Sequence, residues 1–214
     1  DDSHYVRNRV SAEGFAEIEV MLAASPDHER ILAGAFPDMC HQVVQTGNPR
    51  TDLLRQCLRG IYSAGAEALR QRYGRFILVN GNFSENALVG QEMLRHMRTI
   101  TGGIVDDKDR AWYAARHEYE TAILDEFRKM LLYLGREMPD VPIILRPHPQ
   151  EDFARWREML KDFPNLSVVY EGNVHKWAIA ASAVIHNSCT TGVESHLLGR
   201  PVIAYRPIRS DVYD

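Results

Sequence analysis

Short apolar runs alternate with longer segments of helical periodicity along most of the chain. From residue 75 onward, five runs rich in β-branched residues are separated by segments whose apolar positions recur at helical spacing. Runs such as FILV, IIL and VIAY lack polar alternation, as is typical of parallel strands that are covered on both faces. The pattern predicts an α/β fold with a Rossmann-like, doubly wound parallel sheet.

The predicted boundaries follow from the ends of these runs and from the residues that stop them. Gly135, at the end of a long amphipathic segment, marks a helix end. In this larger region the predicted strands are 75–80, 141–146, 166–171, 183–186 and 201–206. The predicted helices are 86–99, 109–135, 150–162, 174–181 and one that begins near Thr190, and a loop covers 101–109.

The first 47 residues predict the end of a separate α/β unit. Two strand-like runs, 17–24 and 40–47, flank a helix that Ser25 caps. GNPR at 47–50 indicates a hinge, and a helix follows at about 51–72. The predicted organisation is therefore an N-terminal remnant at 1–47, a hinge and linker helix at 48–74, and the Rossmann-like domain at 75–214. Because the chain starts at an aspartate and stops just after a strand-like run, we expect a fragment of a longer protein.

Composition and charge narrow the function classes. The 214 residues are 45% hydrophobic, enough to bury a core, and the formal net charge of −4 argues against general binding to nucleic acid or anionic membranes. Three widely spaced cysteines suggest neither a disulfide framework nor a zinc site. No signal peptide or membrane-spanning run is evident, so a cytoplasmic location is expected.

Polar residues follow each predicted strand of the larger region. In an open parallel sheet, ligands bind outside the carboxyl ends of the strands. The first strand end carries Asn80, Asn82 and Ser84. The second carries Arg146, His148 and Pro149, and the third carries Gly172 and Asn173. The fourth carries Asn187, Ser188, Thr190, Thr191 and Gly192, and the fifth carries Tyr205 and Arg206. Several of these residues are donors suited to an oxyanion, so their convergence predicts an anion site at this edge.

The stretch SCTTG, at 188–192, opens a predicted helix. A helix start offers unpaired N–H groups and a partial positive charge, hydroxyls add donors, and Gly192 permits close approach of a phosphate. Ordinary N-capping by serine or threonine is the competing interpretation. The neighbouring strand ends favour phosphate.

Two prolines fix the backbone on both sides of His148 in RPHP. A histidine held in this way can donate to a phosphate or act as an acid towards a leaving phosphate. A loop or capping histidine is the alternative. Arg146 adds charge to the site, unless it is an ordinary outward-facing arginine at a strand end.

Glu194 lies about one turn into the helix that Thr190 opens. A carboxylate there can accept hydrogen bonds from both ribose hydroxyls of a nucleotide whose phosphate sits at the helix start. The alternative is a first-turn glutamate favoured by the helix dipole. Gly172 and Asn173 are suited to backbone contacts with a base, or to a normal turn. The histidines show no metal spacing, so no metal site is predicted.

On these residues the chain resembles the C-terminal half of a GT-B glycosyltransferase. The similarity is greatest to bacterial surface carbohydrate biosynthesis proteins, which are related to CMP-Kdo and CMP-sialic acid transferases and to CDP-glycerol glycerophosphotransferases. It rests on TGNPRTDLL (46–54), ILVNGNFSEN (77–86), LRPHPQED (145–152), the block 170–207 and a weaker YVRNRVS (5–11). The family pattern N-T-N-F is replaced here by Asn80-Gly81-Asn82-Phe83.

The resemblance implies roles for these motifs. His148 and Pro149 match a phosphate-binding HP motif, Ser188, Thr190 and Thr191 match a hydroxyl motif, and Glu194 matches a ribose-binding glutamate. It implies an acceptor-side N-terminal domain and a nucleotide-sugar donor domain at 75–214. The activity expected is metal-independent transfer of a sugar such as Kdo from a CMP-linked co-substrate, without a cofactor, to a surface glycan or lipid-linked acceptor. Other components would bring the protein to the inner membrane.

Three other interpretations stay open. One is a polyol-phosphate transferase that uses CDP-glycerol, and another is a nucleotide-sugar 2-epimerase or hydrolase. The third is a non-catalytic nucleotide-sugar-binding module. The resemblance also implies that the acceptor-activating base comes from the N-terminal domain, so this fragment alone is expected to be inactive.

Overall fold

The chain divides into two compact units. The computed structural model describes residues 5–6, 10–83 and 107–210. Among these residues the smaller unit ends at Leu53 and the larger unit begins at Leu54, so the division falls inside the predicted hinge and linker segment. The predicted helix at 86–99, most of the predicted loop at 101–109, and Ser84 lie outside the described residues.

The smaller unit contains two parallel strands with helices around them. Its elements are α1 (Ala12–Ala16), β1 (Met21–Ala23), α2 (Pro26–Ala35), a 3₁₀ helix (Pro37–Gln42), β2 (Val43–Gln45) and α3 (Pro49–Asp52). Ser25 caps α2 by accepting a hydrogen bond from the backbone N–H of His28. The second strand is shorter than predicted because Pro37 begins a 3₁₀ helix, which occupies the residues before Val43.

The larger unit is built on a five-stranded sheet in which every pairing is parallel. The strands are β3 (Ile77–Asn80), β4 (Ile143–Arg146), β5 (Leu166–Val168), β6 (Ala183–His186) and β7 (Val202–Ala204), in the spatial order β5-β4-β3-β6-β7. The predicted α/β fold with a doubly wound parallel sheet is confirmed.

Helices cover both faces of this sheet. They are α4 (Ser63–Tyr73), α5 (Asp107–Glu137), α6 (Phe153–Leu160), α7 (Val174–Ala180) and α8 (Thr190–Leu197), with a 3₁₀ helix at Arg59–Tyr62. Neighbouring residues of β3 enter different cores: Leu78 packs with residues of α4 and α7, and Val79 packs with residues of α5 and α6. Burial on both faces explains why the strand sequences lack polar alternation.

The prediction of a single helix at about 51–72 is wrong. The structure has α3 and α4 at its two ends, with turns and a 3₁₀ helix between them. The side chains of Leu54 and Tyr62 both enter the core of the larger unit, and the Arg59 Nε donates to the carbonyl oxygen of Leu54 at 2.8 Å. Core packing therefore outweighs local helix propensity in this segment.

Gly135 does not end the long helix, which continues to Glu137. A Cβ atom at Gly135 would lie 2.7 Å from Phe163 Cδ1 and 2.9 Å from Leu166 Cδ1. The glycine is therefore needed for close packing of α5 against the segment that leads into β5, and not for a helix cap.

Candidate functional site

The topology of the larger unit defines one point where a ligand crevice is expected. From β3 the chain adds β4 and β5 on one side of the sheet and then β6 and β7 on the other. The connections therefore diverge between β3 and β6, which are neighbours. In open α/β sheets this switch point, at the carboxyl ends of the strands, is where ligands bind.

A small cavity of about 40 Å³ lies at this switch point. At roughly 10–15 Å³ per water-sized sphere, it holds a few water molecules or one small polar group. It is bounded by residues that follow β3, β6 and β7 and by one side of α5: Asn82, Phe83, Tyr119, Glu120, Ile123, Asn187, Ser188, Tyr205 and Arg206. We call it the switch-point cavity.

Among the cavity residues, only Asn82 and Ser188 belong to the predicted site, although Asn187 also lies at a predicted strand end. Tyr205 and Arg206 are the last two residues of the predicted strand at 201–206, so the sequence places them at the carboxyl edge without assigning them a role. Glu120 comes from the middle of α5, and nothing in its local sequence distinguishes it from the other charged residues of that helix.

The start of α8 has no side-chain cap. Its N-cap residue is Cys189, which makes no capping hydrogen bond, whereas Asp152 caps α6 and Asn173 caps α7. Burial raises the pKa of the Cys189 thiol, and the hydrogen bond with the Thr191 side chain and the nearby backbone N–H groups of Gly192 and Thr191 act against the increase. A neutral thiol is a weak acceptor. Ordinary N-capping by Ser188 or Thr190 is therefore not what these residues do.

The hydroxyl residues around this helix start differ in exposure and in their bonds. Ser188 and Thr190 are exposed, and Ser188 has φ of 52°, a left-handed conformation that is costly for any residue except glycine. Thr191 is engaged instead: its Oγ1 accepts a hydrogen bond from Asn80 Nδ2 at 3.1 Å and lies 2.7 Å from Cys189 Sγ. Asn80 and Thr191 therefore hold the loop in place.

Asn187 is the most unusual polar group of the switch-point cavity. Its side chain is buried, with 8% of the residue exposed, and its Oδ1 has no hydrogen-bond partner among the described residues. An unsatisfied buried polar atom costs about 1–3 kcal/mol. A bound ligand that hydrogen-bonds to this amide would remove that cost.

Gly192 has a different role from the predicted one. A Cβ atom there would lie 2.1 Å from Cε1 and 2.2 Å from Nε2 of His186, so the imidazole ring occupies the space that the missing side chain leaves. Burial lowers the pKa of His186, and its Nδ1 has no partner among the described residues. Gly192 thus admits a buried ring, and its predicted approach to a phosphate has no support in this geometry.

We expect Gly192→Ala to lower the free energy of unfolding by about 2 kcal/mol, since overpacking of a rigid core costs roughly 1–3 kcal/mol. Denaturant unfolding measures this change. In the background of His186→Ala, which removes the ring, the same substitution should cost less than half as much. Equal costs in both backgrounds would contradict the assigned contact.

The RPHP loop is fixed by Glu151, which the sequence predictions omitted. The buried Glu151 carboxylate accepts hydrogen bonds from His148 N at 2.7 Å, Phe83 N at 3.2 Å and Trp156 Nε1 at 2.8 Å. Burial raises the pKa of this carboxyl, and the three hydrogen bonds act against the increase. Glu151 therefore joins the loops after β3 and β4.

Two further contacts shape the surroundings of Glu151 and His148. A Cβ atom at Gly81 would lie 2.9 Å from Glu151 Oε1, so a larger residue at this position would displace the carboxylate from its donors. The N–H of Gln150 donates to His148 Nδ1 at 3.3 Å, so the neutral imidazole carries its proton on Nε2. His148 thus presents a donor, and Pro149 beside it is exposed.

Arg146 binds a loop of its own protein. The side chain is buried, and its Nη1 and Nη2 donate to the carbonyl oxygens of Glu171 and Gly172 at 2.9 and 3.1 Å. The guanidinium also lies over the rings of Tyr170 and Trp177, and burial lowers its pKa. These contacts replace the predicted phosphate contact and fix the backbone of the β5–α7 loop.

Asn173, at the end of the same loop, caps α7: its Oδ1 accepts from the N–H of His175 at 2.7 Å. Gly172 has φ of 62°, a left-handed conformation that suits glycine. Both residues are explained by the turn, which the sequence left as the alternative to a base contact.

Glu194 is buried beneath α8, with 4% of the residue exposed. Its Oε2 lies 2.9 Å from His175 Nε2, and His175 Nδ1 lies 3.2 Å from the Tyr62 hydroxyl. Because a carboxylate only accepts, His175 Nε2 carries the proton of that bond. A ribose contact requires an accessible carboxylate, so the buried Glu194 does not present the predicted contact here.

No group of three or more His, Cys, Asp or Glu side chains in the described part of the chain is arranged to hold a metal ion. No helix in that part is both long and apolar enough to cross a bilayer.

Comparison with known proteins gives no match to a protein-family model or to a curated protein sequence. Solved structures do match. A variant of the wall teichoic acid polymerase TagF, soaked with CDPG for 30 minutes, has a TM-score of 0.52 at 14% identity and covers 93% of this chain and 39% of its own. A second TagF structure gives 0.50 at 16% identity, with 92% and 40% covered.

The fold is GT-B-like. The TagF structures match the chain along nearly its whole length, as the resemblance implied for the C-terminal half of such a protein. The UDP-GlcNAc 2-epimerase of Methanocaldococcus jannaschii, in complex with UDP-GlcNAc and UDP, has a TM-score of 0.48 at 14% identity and covers 88% of this chain and 46% of its own. The chain spans about two fifths of the length of the TagF structures.

Proposed function

We propose that the chain is the donor-binding part of a transferase in surface carbohydrate synthesis, and that it holds the phosphate of a cytidine-activated donor at the start of α8. The observation that carries this proposal is the start of α8 without a side-chain cap, beside the buried amide oxygen of Asn187, which has no partner in the described part of the chain; both lie at the switch point of a GT-B-like sheet. An uncapped helix start leaves N–H groups for an anion, and the macrodipole stabilises it there.

The donors near this helix start suit a phosphate. The hydroxyls of Ser188 and Thr190 are exposed, and the guanidinium-bearing Arg206 lines the same cavity. Backbone N–H groups, hydroxyls and an arginine together offset phosphate charge through charge-assisted hydrogen bonds. A metal ion is not needed for this arrangement.

The switch-point cavity also has hydrogen-bond acceptors that suit the sugar or polyol attached to the phosphate. Asn187 and the carboxylate of Glu120 both line it, and Glu120 is oriented by Arg116, whose Nε donates to Glu120 Oε1 at 2.9 Å. Sugar and polyol hydroxyls donate to carboxylates, and a hydroxyl satisfies a carboxamide in either amide orientation. The hydroxyl-bearing group would therefore lie on the α5 side of the phosphate.

His148 supports the departure of the nucleotide. With Nδ1 accepting from Gln150 N–H, the neutral ring offers its Nε2–H to an oxyanion. A preorganised donor whose hydrogen bond strengthens as charge develops on a leaving group lowers the barrier by about 3 kcal/mol. Replacement of His148 by alanine in the full-length enzyme should therefore lower kcat about a hundredfold, and a kcat within threefold of wild type would exclude this role.

A sugar such as Kdo from a CMP-linked donor is the first candidate for the transferred group. A second candidate is polyol phosphate from CDP-glycerol, and the carboxylate of Glu120 favours it, because an acidic sugar would bring a second carboxylate near Glu120 and glycerol brings only hydroxyls. Product analysis of the full-length protein with both donors decides between them. Turnover of a donor without any acceptor would instead indicate an epimerase or hydrolase, and binding without turnover a non-catalytic module.

Ser188 allows stability and binding to be separated. We expect Ser188→Gly to raise the free energy of unfolding by about 1 kcal/mol, because glycine adopts the left-handed conformation without strain. The same change removes a hydroxyl donor and should weaken CMP binding about tenfold. Chemical denaturation and isothermal titration calorimetry measure the two effects.

Ser182→Gly is the matched control, since Ser182 is exposed and precedes β6 at its opposite end. This control should leave CMP affinity unchanged and lower stability slightly. If both variants changed CMP affinity equally, the assignment of Ser188 to the phosphate would be wrong.

A further inference from the structure

A larger cavity lies beside Phe83, between α5 and α6. Its volume is about 290 Å³, nearly twice the roughly 150 Å³ of an engineered apolar cavity that accepts benzene. The lining consists of Phe83, Leu124, Arg128, Glu151, Asp152, Arg155, Trp156 and Met159. We call it the α5–α6 cavity; the proposed function does not use it.

The walls of the α5–α6 cavity are mainly apolar. Phe83, Leu124 and Trp156 are buried residues of the core on this face of the sheet, and Met159 packs against the same core. A methionine and aromatic rings form an adaptable surface for hydrocarbon. Transfer of an alkyl chain from water to such a surface is favourable by about 0.8 kcal/mol per CH₂ group.

The acidic groups of the cavity are already engaged. Glu151 accepts three hydrogen bonds, from Phe83 N, His148 N and Trp156 Nε1. Asp152 accepts from the N–H groups of Ala154 and Arg155 at the start of α6. These contacts direct both carboxylates towards the protein's own donors.

The two arginines of the cavity have N–H donors that are available to a ligand. Arg128 Nη1 donates to Asp125 at 2.8 Å, and Asp125 is not among the lining residues. The guanidinium of Arg155 is exposed and makes no hydrogen bond or ion pair with any residue that the structure describes. Each guanidinium carries five N–H donors, so most of them are available to an anion.

We propose that the α5–α6 cavity binds an alkyl phosphate monoester. Its hydrocarbon chain lies along Phe83, Leu124, Trp156 and Met159, and its phosphate is held by Arg128 and Arg155. Phosphate oxygens match the forked geometry of guanidinium, and two arginines offset the charge of a phosphate monoester. The proposal does not rest on the nucleotide site, because the two cavities share only Phe83, and neither Arg128 nor Arg155 lines the switch-point cavity.

Three probes separate the two halves of this ligand. Octyl phosphate, octyl glucoside and inorganic phosphate are titrated calorimetrically into the full-length protein, each below its micelle concentration. We expect octyl phosphate to bind at least tenfold more tightly than either of the others. Equal binding of octyl glucoside would overturn the proposal in favour of a plain apolar cavity, and equal binding of inorganic phosphate in favour of a surface anion site.

Substitutions on α6 then locate the binding. Arg155→Ala should weaken octyl phosphate about tenfold, whereas Arg157→Ala, an exposed arginine of the same helix outside the cavity, should have no effect. Met159→Glu should abolish binding, and a far-ultraviolet spectrum and melting temperature near those of wild type show that the variant is folded. Equal losses for Arg155→Ala and Arg157→Ala, or unchanged binding to folded Met159→Glu, would contradict the proposal.

Discussion

Replacement of Glu151 by alanine should lower the free energy of unfolding by about 4 kcal/mol. The substitution leaves three buried donors without their acceptor: the backbone N–H groups of His148 and Phe83 and the indole N–H of Trp156. Each unsatisfied buried donor costs about 1–3 kcal/mol. Because two of these donors fix the loops after β3 and β4, CMP affinity of the full-length protein should decrease as well.

Glu158→Ala provides the control for this prediction. Glu158 lies on the same helix, is exposed, and pairs with Lys161, so its removal should change stability by less than about 0.5 kcal/mol. Denaturant unfolding compares the two variants. A cost below 1 kcal/mol for Glu151→Ala would show that Glu151 does not hold the two loops together.

The pH dependence of stability tests the same carboxyl. Burial raises the pKa of Glu151 in the folded protein above its unfolded value of about 4.3. The part of its contribution that depends on protonation is therefore fully present below pH 4.3 and is lost as the pH rises through the folded pKa, whereas the three hydrogen bonds are made at either end of this range. Wild type should accordingly gain stability relative to Glu151→Gln as the pH falls from 7 to about 4; a difference that does not change with pH would contradict the raised pKa.

Replacement of His175 by phenylalanine should lower the free energy of unfolding by about 3 kcal/mol. Phenylalanine retains a ring against Tyr62, whose ring centroid is 5.2 Å away, but it removes the hydrogen bonds to Glu194 and to the Tyr62 hydroxyl. Removal of one member of a buried polar pair that includes a carboxylate costs about 3–5 kcal/mol.

A second substitution separates polarity from packing at this position. In the double variant His175→Phe with Glu194→Leu, the carboxylate is absent, so the loss should be at least 1 kcal/mol smaller than the sum of the two single losses. His196→Ala, at an exposed position of α8, serves as the control and should be nearly neutral. Additive losses in the double variant would show that His175 and Glu194 do not interact.

The sequence predicts those helices and strands whose ends are set by neighbouring residues in the chain. β6 occupies the predicted residues because AVIH is bounded by polar residues on both sides, and α7 starts where Asn173 supplies a cap. The parallel sheet is also predictable, since burial on both faces leaves continuous apolar runs.

The rest depends on contacts between residues far apart in the chain. Gly135 and Gly192 look like a helix end and a phosphate approach, yet each admits a ring from a residue that only the fold brings near. Arg146 and Glu194 carry the charges expected of a ligand site, but the β5–α7 loop and His175 engage them. Glu120 lines the switch-point cavity because one side of α5 forms part of the cavity wall.

The central claim is that the start of α8 binds the phosphate of a cytidine-activated donor. Calorimetric titration of CDP and of cytidine into the full-length protein tests it most directly, because the two ligands differ only in the diphosphate. We predict that CDP binds at least a hundredfold more tightly than cytidine, and that Ser188→Gly weakens CDP about tenfold while leaving cytidine unchanged. Equal affinities for CDP and cytidine, or an unchanged CDP affinity in Ser188→Gly, would contradict the account.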